Sequence, residues 1–190
     1  VMLLPDTSYT IVDRDKAFYG MPALDDNGTM LAYTASEDSI KTGTRRAEVF
    51  LSDLRHEMKT PSRIDIDKKD AAGNPLRPNQ YTALRFSHNG KRLIGGVAPV
   101  IAPDDTTIVD FEKGKLDIRV WDRAMTPPKD LSTLKEQQKN NYPVVVDIAT
   151  RNSVLVTDSP LARVETPDRW DGDWALVKDR TADGVGGQRN

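Results

Sequence analysis

Apolar residues recur at alternate positions in short runs, and each run ends in a cluster of turn-forming residues. Such alternation places every second side chain on one face of a strand. The first unit runs from about Ala17 to Leu54. Phe18 to Ala23 reads as a strand, Asp25-Asp26-Asn27-Gly28 as a turn, and Met30 to Thr34 as the returning strand. Asn-Gly between apolar runs is the strongest short hairpin signal. A polar loop follows from Ser36 to Arg46. Ala47 to Leu54 is then a third strand, in which Val49 and Leu51 alternate with Phe50.

The same order returns further along. Tyr81 to Phe86 is a strand, Ser87-His88-Asn89-Gly90 a turn, and Lys91 to Pro99 the returning strand. Gly95-Gly96 marks close backbone packing or a bulge. Lys115 to Asp122 alternates as a third strand. Gly28 and Gly90 stand 62 positions apart, and Leu31 and Leu93 hold the same place after each turn. A repeat of this period points to sheet blades rather than helical solenoids. Asp130 to Asn140 is the one helical stretch, with Leu131 and Leu134 on one face. Tyr142 to Ile148 and Ser153 to Thr157 are further strands. A third unit begins near Arg163, with Asp171-Gly172 as the turn before Trp174 to Val177. Lys59 to Asn79 is polar and proline-rich and reads as a loop.

The pattern predicts an all-β chain: a partial β-propeller of about three antiparallel blades with one short inserted helix. The blade-like units cover 17–60, 81–157 and 163–180 of residues 1–190. Propellers close with about four to eight blades, so the ring is expected to continue in blades missing from this chain. Uncovered blade faces favour self-association of the fragment. The chain opens at Val1 and ends in the glycine-rich Gly184 to Gly187, and both ends read as cuts in a longer protein.

Composition narrows the function classes. Hydrophobic residues make up 37% and charged residues 29%, which suits many short, half-buried elements. Net charge is −2 with both signs mixed, so neither a nucleic-acid arm nor a polybasic membrane patch is indicated. No apolar run approaches the ~18 residues of a membrane-spanning helix. With no cysteine, the chain has no disulfide, thiolate nucleophile or cysteine zinc site. No cofactor and no metal are implied.

Phe86-Ser87-His88-Asn89-Gly90-Lys91-Arg92-Leu93 resembles the inner hairpin of TolB-like and peptidase propellers, whose motif is a strand, Ser-Pro-Asp-Gly-Lys and an apolar strand. Val97-Ala98-Pro99, Asp105 to Glu112 and Lys115 to Ile118 are similar to the N-terminal propeller of bacterial prolyl-oligopeptidase-family serine peptidases. The resemblance covers most of the chain and is strongest from Tyr81 to Ile148. It implies a non-catalytic propeller segment that gates or helps bind peptide substrate. The α/β-hydrolase domain that would carry the catalytic triad is not in this chain, and the compartment implied is periplasmic or secreted. The chain has no Gly-x-Ser-x-Gly elbow, so no catalytic residue is assigned to it; the full-length protein would be the peptidase. Alternatives are a free-standing TolB-like propeller that binds a protein or glycan, and a small β-sandwich in which the repeats are accidental.

Other motifs have dull readings. Ser132-Thr133-Leu134-Lys135 and Lys41-Thr42-Gly43 match elements of penicillin-binding enzymes, but in reversed order and without Ser-Asp-Asn. Asp65, Asp67 and Asp70 before Gly73 suggest a calcium loop, yet Lys69, Asp70 and Leu76 fall where an EF-hand needs an oxygen, a glycine and a glutamate. His88 and His56 are read as surface residues, since no nucleophile and orienting acid accompany them. Trp121 is read as blade packing, as are Trp170 and Trp174, which share one hairpin face and would otherwise suit peptide or carbohydrate. The positions singled out are therefore turn residues: Asn27, Gly28, Asn89, Gly90, Asp171 and Gly172.

Overall fold

The computed structural model describes residues 2–4, 7–9, 17–20, 22–37, 44–55, 61–100, 139–160 and 162–178. β1 (Met2–Leu4) and β2 (Thr7–Tyr9) pair with each other. β3 (Phe18–Tyr19), β4 (Ala23–Leu24), β5 (Met30–Ser36), β6 (Glu48–Asp53) and β7 (Ser62–Ile64) form a five-stranded antiparallel sheet. β8 (Lys68–Lys69), β9 (Pro75–Arg77), β10 (Arg85–Phe86), β11 (Arg92–Pro99), β12 (Tyr142–Asp147) and β13 (Ser153–Leu155) form a six-stranded one. β14 (Arg163–Glu165) and β15 (Leu176–Lys178) make a separate hairpin, joined through the short turn Pro167–Trp170.

The two sheets share one plan. β5 carries β3 and β4 on one edge and β6, then β7, on the other. β11 likewise carries β9 and β10 on one edge and β12, then β13, on the other. Both hairpins turn alike. The Gly28 N–H donates to the Asp25 carbonyl and the Gly90 N–H to the Ser87 carbonyl, each at 3.0 Å. Gly28 (φ 66°) and Gly90 (φ 68°) take the left-handed conformation that only glycine adopts without penalty, whereas Asn27 and Asn89 do not. The buried Asp25 carboxylate accepts from the Thr29 N–H, the Thr29 hydroxyl and the Met30 N–H, and so locks the first turn. Burial pushes its carboxyl up, but the bonds from Met30 and Thr29 together outweigh that and leave it below its ordinary value.

The sheets do not present equivalent faces to each other. Leu24 faces Leu31 across the first hairpin, and Phe86 faces Leu93 across the second. Leu93 is buried in the main core, with Val97, Val144 and Val146. On the first sheet it is the opposite face, Ala32, Val49 and Leu51, that enters that core. Leu31 instead packs with Tyr33 and Phe50, whose rings stack at 5.4 Å. Ile64, Ile66 and Leu76 complete the shared core.

This architecture overturns the propeller expectation. The five-stranded sheet curls into a nearly closed barrel wall. Backbone pairing stitches it to its neighbour: Arg46 bridges Asn79, and the Ala47 N–H donates to the Pro78 carbonyl at 2.9 Å. Blades of a propeller meet through their faces; here main-chain hydrogen bonds beside the ends of β6 and β9 join one sheet to the other. The stretch from Lys59 to Asn79, read as a loop, supplies β7, β8 and β9. The strand beside β11 is β12, because Val144 and Val146 pair with Gly95 and Leu93. The third unit is a two-stranded hairpin rather than a further sheet. The inserted helix and the Lys115 to Asp122 strand lie outside the described residues, apart from the helix's last two, Lys139 and Asn140, which are turn and coil. The expectation of missing blades and an attached hydrolase domain finds no support among the described residues.

Candidate ligand-binding groove

A groove of about 350 Å³ opens between β10 and β11 on one side and the Pro167–Trp170 turn and β14 on the other. Its floor is Ile94, Gly95 and Gly96 of β11, with Pro143 of β12 beside them. The glycines are needed for space. A Cβ on Gly96 would lie 2.5 Å from the Asn141 Cβ, and one on Gly95 would lie 3.0 Å from Leu84 Cδ2. Both pair in unbroken register with Val144 and Pro143, so they mark close packing and not a bulge. Tyr81, Leu84 and Trp170 form the walls.

Arg85 stands in this groove with its guanidinium 4.8 Å from the centre of the Trp170 ring. A cation over an indole face is held by the ring quadrupole. Burial pulls the guanidinium below its ordinary value. Among the described residues Arg85 has no carboxylate partner, unlike Arg55 with Asp53, Arg63 with Glu48 and Asp65, Arg77 with Asp67, and Arg92 with Asp173.

Trp170 is placed by unusual backbone. Asp168 (φ 48°), Arg169 (φ 51°) and Trp170 (φ 75°) are successive left-handed residues, and none is glycine. The left-handed region is unfavourable for L-residues, and such strain persists only where surroundings enforce it, often at ligand clamps. The surroundings here are the second hairpin. His88 N–H donates to the Arg169 carbonyl (3.3 Å), Asn89 N–H to Asp171 Oδ1 (2.9 Å), and the Arg92 guanidinium to the Trp170 and Gly172 carbonyls.

A larger cleft, of about 500 Å³, lies along β6, β7 and β9 over Val49, Ile64 and Ile66. Its rim charges satisfy one another: Arg63 pairs with Glu48 and Asp65, and Arg77 with Asp67. It offers a ligand no uncompensated group of that kind, and the smaller groove does.

The turn residues named from sequence converge near the groove without lining it. Asn27-Gly28 and Asn89-Gly90 form the tips of the two hairpins, and Asp171-Gly172 follows the strained turn inside the connection from β14 to β15. His88 Nδ1 meets Asp26 Oδ2 at 2.5 Å, with Arg169 3.9 Å from the same carboxylate. The neighbouring Ser87 hydroxyl is engaged by Asn89 and by the Arg92 N–H. Asp70 caps its own turn through Ala72 and Asn74, and no metal-holding group of His, Asp and Glu occurs among the described residues. Trp170 and Trp174, expected as packing residues, are otherwise employed: Trp170 lines the groove, and Trp174 is 66% exposed. Lys41, Gly43, His56, Trp121 and Ser132 lie outside the described residues. Sequence reasoning missed Arg85, Tyr81 and Arg92. Gly95-Gly96 was the available signal, because a glycine pair in a strand announces a close approach.

Compared with protein-family models and with curated proteins, the chain matches none. The resemblance to TolB-like and prolyl-oligopeptidase-family propellers, drawn from the turn motif and from the stretch between Val97 and Ile118, therefore has no support. A Ser-x-Asn-Gly hairpin tip is what any type I turn followed by a left-handed glycine selects, so it carries the turn and not the family. With it falls the expected role of gating peptide for a hydrolase, or of a propeller binding a protein or glycan.

Proposed function

We propose that this protein binds a small organic anion with a flat apolar body, such as an aromatic carboxylate. The observation that carries the reading is Arg85, stacked on Trp170 in an apolar, glycine-floored groove with no acid to pair with among the described residues. A guanidinium presents a planar fork that matches a carboxylate in two parallel hydrogen bonds. Arg85 is exposed at the mouth of the groove, so its guanidinium is open to such a partner. Gly95 and Gly96 line the groove with their faces closed by Leu84 and Asn141, and Tyr81 and Leu84 give a ring apolar contact. Pockets of this kind use a few polar groups for orientation and apolar walls for affinity.

Titration with 1-naphthoate, followed by tryptophan fluorescence, tests this. A saturable change is expected that Trp170→Phe abolishes and that uncharged 1-naphthamide does not produce. Arg85→Ala is expected to weaken binding by roughly 10- to 100-fold, the value of a hydrogen-bonded charged contact. An equal response to acid and amide, or none to either, would sink the reading.

A further inference from the structure

We infer that Arg92 is a positioning residue for this groove: its guanidinium fixes the strained turn that holds Trp170 beneath Arg85. The inference rests on the groove reading for its ligand, but its geometry stands independently. Arg92 opens β11, the strand that floors the groove two residues further on. Its main chain is locked, because its N–H donates to the Ser87 hydroxyl (3.0 Å) and its carbonyl accepts from the Ser87 N–H (2.9 Å). Its side chain reaches across the fold. Nη1 donates to the Trp170 carbonyl at 3.1 Å and to the Gly172 carbonyl, and Nη2 to Asp173 Oδ1 at 2.8 Å. The first of these acceptors belongs to the last residue of the left-handed run Asp168, Arg169 and Trp170, and the other two follow it closely.

The reciprocal tie runs through Arg85. Arg85 is opposite Ile94 in the β10–β11 ladder, so the strand that carries Arg92 also sets the height of Arg85. β11 thus reaches both halves of the cation–indole pair, Arg85 through its main-chain pairing and Trp170 through the Arg92 side chain. Among the described residues the turn is also restrained by the Asp171 N–H to the Asp168 carbonyl, the His88 N–H to the Arg169 carbonyl, the Asn89 N–H to Asp171 and the Arg169–Asp26 pair. These act on the residues either side of Trp170, whereas Arg92 binds the Trp170 carbonyl directly. A residue in the left-handed region relaxes toward common conformations when its restraint goes. The task needs a planar fork. An ammonium is a point donor and cannot hold two carbonyls and a carboxylate in the arrangement a guanidinium spans.

The test uses the full chain with Trp121→Phe and Trp174→Phe, so that Trp170 is the one indole. Acrylamide quenching is measured without ligand for Arg92→Met, Arg92→Lys and, as a control, Lys91→Met. Arg92→Met is expected to raise the quenching constant toward that of an exposed indole while the far-ultraviolet sheet signal persists. Its naphthoate affinity should fall about tenfold or more. Arg92→Lys should recover only part of the protection, and Lys91→Met should match the parent. Wild-type quenching in a folded Arg92→Met with a lowered melting point would overturn the inference, because Arg92 would then stabilise without positioning. If Arg92→Met does not fold, a folded Arg92→Lys with full protection has the same force. If the parent ignores naphthoate while Arg92→Met exposes Trp170, the ligand reading fails and the positioning role stands.

Discussion

Leu93→Ala is expected to lower folding stability by about 2–5 kcal/mol, the range for deleting a buried leucine whose surroundings relax only in part. Leu93 is 1% exposed. It lies opposite Phe86 on one side and Val146 on the other, within the core that takes Ala32, Val49 and Leu51 from the neighbouring sheet. The cavity would therefore open between the two sheets. Collapse is hindered because the backbone pairings of Arg46 with Asn79 and of Ala47 with Pro78 hold the sheets at a fixed spacing. Urea unfolding of the variant should show a lower midpoint in a single transition, with tryptophan fluorescence and sheet circular dichroism coinciding. A change below about 1 kcal/mol would mean that Leu93 is not in a tightly packed core.

Gly96→Val is expected to cost about 3 kcal/mol, at the upper end of overpacking penalties. The clash is with the Asn141 Cβ at 2.5 Å and its Cγ at 3.1 Å, so no flexible side-chain tip can swing away. Asn141 is also held where it is, since its Nδ2 donates to the carbonyls of Tyr81 and Lys139. Relief requires either β11 or the chain entering β12 to move, and both carry the groove. The variant should show a lowered melting temperature together with loss of the naphthoate response. Wild-type stability in Gly96→Val would show that the floor has slack the geometry does not indicate.

The parts of this fold legible in the sequence were those written in local chemistry. Each Asn-Gly turn needs one left-handed residue at a fixed place, and glycine supplies it. β5 and β6 could be read from the alternation around Val49 and Leu51. β7, β8 and β9 could not, since they are two or three residues long and contain Lys68, Lys69 and Pro75. Their signal was Ile64-Asp65-Ile66, a single step of alternation whose two isoleucines are buried. The propeller reading failed at a different level. It took the repeat of turn, strand and strand as evidence of independent sheets, whereas the relation between sheets depends on pairings such as Arg46 with Asn79 that no local pattern encodes. The groove was illegible for the same reason. Arg85 and Trp170 are remote in sequence, and only the strained turn brings the ring under the guanidinium.

The shared plan of the two sheets hides an asymmetry in how they can assemble. β5 and β6 are joined by residues 37–47, whereas β11 and β12 are joined by residues 100–141, a connection roughly four times longer. Bringing together strands separated by the longer stretch of sequence costs about 1.2 kcal/mol more chain entropy. The five-stranded sheet is thus the cheaper nucleus, and once formed it offers Ala32, Val49 and Leu51 as an apolar template. Against that surface, β11 and β12 gain burial at the moment they pair, which offsets the entropy of bringing them together. Folding would then run from the N-terminal sheet to the C-terminal one. Truncations at Val49 should slow refolding, and truncations at Val144 should mainly speed unfolding. The opposite pattern would place the nucleus in the second sheet, and the molecule would then begin by joining the strands that lie further apart in sequence.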